Sequence, residues 1–141
     1  MTRITESQLA ALEKDQLARA LAAQFDPRAE PVSRRGVMGK WEADYSGTLT
    51  AGGRKWVFET LRLCLYHGRG RERATWYTPD FLVAPRDGDT DTRFEIHEVK
   101  GHRRRDSMVR LKACATSHAM AFRFFLVTRP RRGGGWEVVE L

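Results

Sequence analysis

Long apolar runs are what this chain lacks most. No stretch of its 141 residues is long or apolar enough to span a bilayer. Cysteine is scarce as well. Cys64 and Cys114 are too few for a disulfide framework, and in a reducing compartment both would stay thiols. The opening residues, MTRITESQLAALEKD, carry acids and no uninterrupted apolar segment of the signal-peptide kind, so the expectation is a cytoplasmic protein with no membrane partner. GxSxG, P-loop and dinucleotide-binding fingerprints are missing, which leaves nucleotide hydrolysis and hydride transfer unsupported. Internal repeats and long low-complexity tracts are missing too.

Acidic residues are present but outnumbered. Eighteen Asp and Glu face 25 Lys and Arg, for a formal charge of +7. The partner this favours is a polyanion, with nucleic acid ahead of a membrane surface. The length suits one domain, small for an enzyme that must grip a duplex, and a second subunit would help.

The stretch Tyr77 to Lys100, YTPDFLVAPRDGDTDTRFEIHEVK, reads as two strands joined by a polar turn. Side chains alternate along a strand, so Phe94, Ile96, Glu98 and Lys100 share one face, with Glu95, His97 and Val99 on the other. The first face begins apolar and ends charged, as a strand does when it leaves a core at the edge of a cleft. Pairing with the preceding strand would bring Asp80 to Glu98 and Lys100. Two carboxylates suit a hard divalent ion, which acidifies water and offsets charge on a phosphoryl oxygen. A lysine beside them can orient or deprotonate that water. From spacing alone, a strand-end ion pair is the other reading.

Pro79 and Asp80, followed after a hairpin-length gap by Glu98, Val99 and Lys100, resemble the signature of the PD-(D/E)XK nuclease superfamily. The longer strings YTPDFLV and HEVKG are similar to its phage endonuclease I type, which includes resolvases of branched DNA. The resemblance runs from Val37 to the C-terminal end. It implies that Asp80 and Glu98 bind the metal, Mg²⁺ with Mn²⁺ as a substitute, that Val99 lends its carbonyl, and that Lys100 handles the attacking water. It also implies a further acid in the segment MGKWEADYSGTL, by position Glu42, which could be another metal ligand; Asp44 is the fallback. A homodimer acting on branched DNA, in the cytoplasm of a bacterial host if the chain is phage or prophage encoded, completes what it implies.

The remaining elements follow in order. Thr5 to Gln8 is a capping-box pattern, and Leu9, Leu12, Leu17, Ala20, Leu21 and Phe25 recur at helical spacing up to Pro27. Residues 1–35 are therefore expected to be a helical arm and linker, ahead of a nuclease core over 36–141. Gly52 and Gly53 close the helix that carries Glu42. One strand is predicted over Trp56–Tyr66, another over Thr75–Val83 that is bulged or at an edge at Pro79, a helix from about Asp106 to His118, and strands over Phe122–Thr128 and Trp136–Leu141. Arg69, Arg71 and Arg73 in one turn, and His102, Arg103, Arg104, Arg105 and Lys112 beyond the catalytic strand, are candidate DNA-phosphate contacts.

Asp87, Asp89, Asp91 and Glu98 imitate a calcium loop, but Thr92 stands where that loop needs glycine and the flanks read as strands. Cys64 with His67, and Cys114 with His118, lack the spacing of common zinc sites. The expected fold is α/β, a restriction-endonuclease-like mixed central sheet flanked by helices with an N-terminal helical arm. The expected activity is Mg²⁺-dependent endonucleolytic hydrolysis. The alternatives are a nickase or linear-duplex nuclease on the same fold, and a DNA-binding module without catalysis.

Overall fold

The computed structural model describes residues 29–31, 36–101 and 105–141. The expected N-terminal helix, and His102 to Arg104, lie outside the described residues. In chain order the elements are β1 (Ala29–Pro31), α1 (Lys40–Ala51), β2 (Trp56–Phe58), β3 (Leu61–Tyr66), β4 (Thr75–Tyr77), β5 (Phe81–Val83), β6 (Phe94–Lys100), α2 (Arg105–Ser117), β7 (Phe122–Thr128) and β8 (Glu137–Glu140). A mixed five-stranded sheet runs β2-β5-β6-β7-β8, and a three-stranded sheet runs β1-β3-β4. The protein is therefore mixed α/β. No helix among the described residues is long and apolar enough to cross a membrane.

β6 and β7 are the parallel pair, in register from Phe94↔Phe122 to Lys100↔Thr128. Parallel neighbours need a crossover, and α2 supplies it. β5 meets β6 antiparallel, with Phe81 opposite His97 and Val83 opposite Glu95. Both faces of this sheet are covered, and the two-residue period sorts the side chains between them. Leu82, Ile96, Phe124 and Leu126 pack with Leu61 and Leu63 of β3 and with Leu111 and Cys114 of α2. Phe81, Val83, Val99 and Val127 pack with Tyr45 and Leu49 of α1.

Two strands expected to be continuous are each broken in two. Glu59 adopts φ +43°, a left-handed conformation unusual for a residue with a side chain, and its N–H donates to the Asp80 carbonyl at 2.8 Å. Opposite it, Pro79 has no N–H to offer a ladder. At that paired bend the hairpin leaves the large sheet and continues as β3 and β4 in the small one. Past Glu59 the alternation resumes, with Leu61 and Leu63 buried and Arg62 exposed over the Trp76 ring at 4.4 Å. Cys64 is buried as well, and just past it the pairing of β3 with β4 shifts register, between Cys64 and Tyr66.

Two smaller differences concern the ends of elements. Ala29–Pro31, within the expected linker, pairs with Pro31 opposite Leu61 and so belongs to the small sheet. The helix expected to run to His118 ends at Ser117, and His118 just beyond it is buried, with Nε2 2.9 Å from the Cys64 carbonyl. Cys64 and Cys114 are buried and form no disulfide.

Candidate active site

β6 delivers its charges at its C-terminal end. Glu98 continues the face of Ile96, and Lys100 reaches back along that face to donate from Nζ to Glu98 Oε1 at 2.5 Å. Just before β5, the bend at Pro79 turns Asp80 toward the same point. The Val99 N–H donates to Asp80 Oδ2 at 2.8 Å, and the Asp80 N–H donates to Glu98 Oε2 at 3.2 Å. Asp80, Glu98 and Lys100 therefore form one linked unit. A strand residue sends its N–H and C=O to the same edge. Since the Val99 N–H points to Asp80, its carbonyl faces that edge too.

Burial, and then the charge of Glu98, push the Asp80 carboxyl from its ordinary 3.8 up to about 8. The Val99 N–H and Lys100 pull the other way, and Glu42 adds to the rise. Near neutral pH the pair thus holds a proton that two isolated carboxylates would have lost. Tyr77 feels the same crowding. Its hydroxyl proton is held far beyond the ordinary range by burial first and then by Glu98. The hydroxyl is buried and, although near Glu98, has no partner in hydrogen-bonding geometry. Two crowded carboxylates are a pair whose mutual repulsion a hard cation would relieve, since magnesium takes one or two protein carboxylates and keeps several waters.

Among the described residues no three His, Cys, Asp or Glu form a group able to hold a metal. Glu42 acts on Asp80 through its charge, not from a shared coordination point. It sits in the first turn of α1, half-buried, and its carboxylate curls back over Gly39. A Cβ at residue 39 would clash with Glu42 Oε2. The Gly39 backbone, at φ −70° and ψ 175°, is open to any residue, so Gly39→Ala acts chiefly by displacing that carboxylate. If Glu42 serves the site, Gly39→Ala and Glu42→Gln should each slow DNA cleavage by about tenfold, while Tm falls by only a few degrees. Unchanged rates in both would remove Glu42 from the site. Asp44, the fallback acid, is taken up by Arg129 at 3.3 Å on the exposed side of the helix.

The chain matches no family model, no curated protein and no solved structure. What the site does must be read from its own geometry.

The basic residues expected to grip DNA are dispersed. Arg69, Arg71 and Arg73 are exposed in the turn between β3 and β4, at the end of β4 away from Asp80. Lys112 is exposed on α2. Arg105 opens α2, and His102, Arg103 and Arg104 lie outside the described residues.

A second polar group, unforeseen in the sequence, lies under the opposite face of β6. Tyr45 OH is 2.6 Å from His97 Nδ1, His97 Nε2 is 2.8 Å from Glu95 Oε2, and Arg54 Nη2 donates to the same Glu95 oxygen at 2.8 Å. All four residues are largely buried. Burial alone would raise the Glu95 carboxyl, but hydrogen bonds from His97 and Arg54 outweigh it and hold the group below its usual range. Burial pushes the Tyr45 hydroxyl up to about 12, so it keeps its proton and can donate to the ring. This chain ties α1, with Glu42, to β6, with Glu98 and Lys100. The available signal was the strand itself: with Val99 continuing the face of Glu95 and His97, that face goes into a core, where polar groups need partners.

Proposed function

We propose that the protein is a metal-dependent endodeoxyribonuclease of the PD-(D/E)XK kind, on a restriction-endonuclease-like fold. The observation that carries this reading is the junction of Asp80, Glu98 and Lys100 through the Val99 and Asp80 N–H groups, where the Asp80 carboxyl is pushed up to about 8. Asp80 and Glu98 would hold Mg²⁺, or Mn²⁺ in its place, with the Val99 carbonyl beside them. Bound there, the ion supplies Lewis acidity toward water and the scissile phosphate. Lys100, tethered to Glu98, orients the attacking water and moves its proton. Glu42 adds negative charge from the start of α1. The excess of basic residues favours DNA as the substrate. Branched DNA, which calls for two sites on a homodimer, comes from the likeness of YTPDFLV and HEVKG to the phage resolvases.

The Lys100–Glu98 contact would also suit a binding module in which the charges are only an ion pair. Cleavage separates the two. End-labelled four-way-junction DNA and a linear duplex of matched sequence are incubated with Mg²⁺ and wild type or Lys100→Ala. The nuclease reading expects nicks near the branch from wild type, slowed on the order of a hundredfold by Lys100→Ala, with DNA binding retained. Binding without scission would leave the binding module. Equal cutting of both DNAs by a monomer would leave a nickase or linear-duplex nuclease.

A further inference from the structure

The C-terminal ends of the parallel strands β6 and β7 open into a cleft of about 710 Å³, between the start of α1 and the β7–β8 turn. Ligands of open α/β sheets gather at such strand ends. Trp41, Lys100, Gly101, Thr128, Arg129 and Arg131 line it. Lys100 belongs to the candidate active site, and the Cα of Gly101 follows it by about 3.8 Å. The cleft therefore adjoins Lys100 of that site, while Asp80 and Glu98 are not among its lining residues.

Glu137 and Pro130 also line it, the Glu137 carboxylate being 3.4 Å from the Thr128 hydroxyl, and the rest of the lining, Gly101 apart, is aromatic or basic. Trp41 stands edge-on to Trp136, with ring centroids 6.1 Å apart. A Cβ on Gly101 would lie 3.5–3.6 Å from three carbons of the Trp41 six-membered ring. Because residue 101 is glycine, no side chain is set against that part of the ring, and a methyl there would come into ordinary contact with it. Arg129 is held over the Trp136 ring at 4.4 Å and braced by Asp44, yet a guanidinium has five N–H donors and these contacts leave some to spare. Arg131 is exposed on the rim and makes no ion pair with the described residues. A half-buried indole that packs on the core and also lines the cleft, beside arginines, is a pattern that receives a nucleotide, with the base on the ring and phosphate on the guanidinium groups.

We propose that this cleft binds one unpaired nucleotide adjoining the scissile phosphate, its base against Trp41 and its phosphates on Arg129 and Arg131. This rests on the nuclease reading of the neighbouring site and narrows its substrate. A base inside a duplex is covered on both faces by its neighbours and cannot stack on Trp41. The DNA favoured is therefore one whose strand is splayed on one side of the cut, as at the branch point of a junction or at a fork.

The test is equilibrium binding by fluorescence anisotropy of the full chain to end-labelled forked DNA, in EDTA so that nothing is cut. A set of forks carries an abasic residue at each unpaired position near the junction in turn. Wild type should lose affinity on the order of tenfold at one position. Trp41→Ala should lose the same on the intact fork and then be indifferent to the abasic residue. Gly101→Ala, whose methyl fits without clash, should shrink the abasic penalty even if Trp41→Ala fails to fold. Arg131→Gln, exposed and harmless to folding, should weaken every DNA alike and lower the salt slope by about one. An undiminished abasic penalty in Trp41→Ala and Gly101→Ala, or no sensitive position in wild type, overturns the proposal. Binding of this pattern by a protein that never cuts with Mg²⁺ would refute the nuclease and keep the cleft, whereas cutting without base dependence would do the reverse.

Discussion

Asp80→Asn should make the protein more stable and nearly inactive at once. The Asp80 carboxyl, buried beside Glu98, is raised from 3.8 to about 8 in the folded state. The folded form therefore binds a proton that the unfolded form releases. For a group shifted in this direction, the stability it contributes is full below pH 4 and is lost as pH rises through about 8. Asparagine resembles the protonated acid. It can still accept from the Val99 N–H through its carbonyl oxygen, and it never ionises. In metal-free buffer the gap between Asp80→Asn and wild type should open above pH 4 and approach its full size near pH 8. At least about 2 kcal/mol is expected there, allowing generously for the partly open site, or about 5 °C or more in Tm. Thermal melts at pH 4, 6 and 8 check this. A mutant that is less stable at pH 8 would mean that the two carboxylates do not crowd one another. Cleavage by the mutant should fall on the order of a hundredfold or more. Strain of this kind, held in place by the rest of the fold, is what a functional site costs in stability.

The second large effect lies on the other face of β6. Glu95→Ala removes the acceptor of both Arg54 and His97 and leaves a guanidinium and a ring N–H buried without a counter-ion. Breaking a buried pair from one side costs about 3–5 kcal/mol, so Tm should fall by about 10 °C or more. Glu95→Gln keeps an acceptor oxygen and loses only the charge, and should cost roughly half as much. Chemical denaturation of both variants at pH 7 provides the measurement. Arg123, 3.6 Å from Glu95 Oε1, already pairs with Glu140 at 2.8 Å and is poorly placed to compensate. A loss below about 1 kcal/mol in Glu95→Ala would show that the network contributes little.

Much of this arrangement was legible in the sequence, and the gaps have physical reasons. Alternation along FEIHEVK put Glu98 and Lys100 on one face, and so they are. β7 has the predicted bounds, because an apolar run of strand length with clear flanks leaves little choice. Pro79 announced an interruption, since proline cannot donate to a ladder. Its partner in the bend, Glu59, gave no such notice. A glycine or asparagine would have marked a left-handed residue, whereas glutamate there is held by its contacts, the Asp80 carbonyl and the Gly36 N–H. The Tyr45–His97–Glu95–Arg54 chain escaped for another reason. It joins residues far apart in sequence, and only the placement of α1 against β6 makes them neighbours. Arg129 and Trp41, likewise remote in sequence, meet only where the cleft places them together.

The most direct test of the central claim is strand scission itself. Four-way-junction DNA is incubated with wild type and Asp80→Asn, each in Mg²⁺ and in EDTA, and nicks are resolved on a denaturing gel. The Asp80–Glu98–Lys100 site as a metal-dependent nuclease centre predicts nicks from wild type in Mg²⁺ only, reduced on the order of a hundredfold or more by Asp80→Asn. Absence of scission with any divalent metal, or equal scission by the mutant, would contradict it.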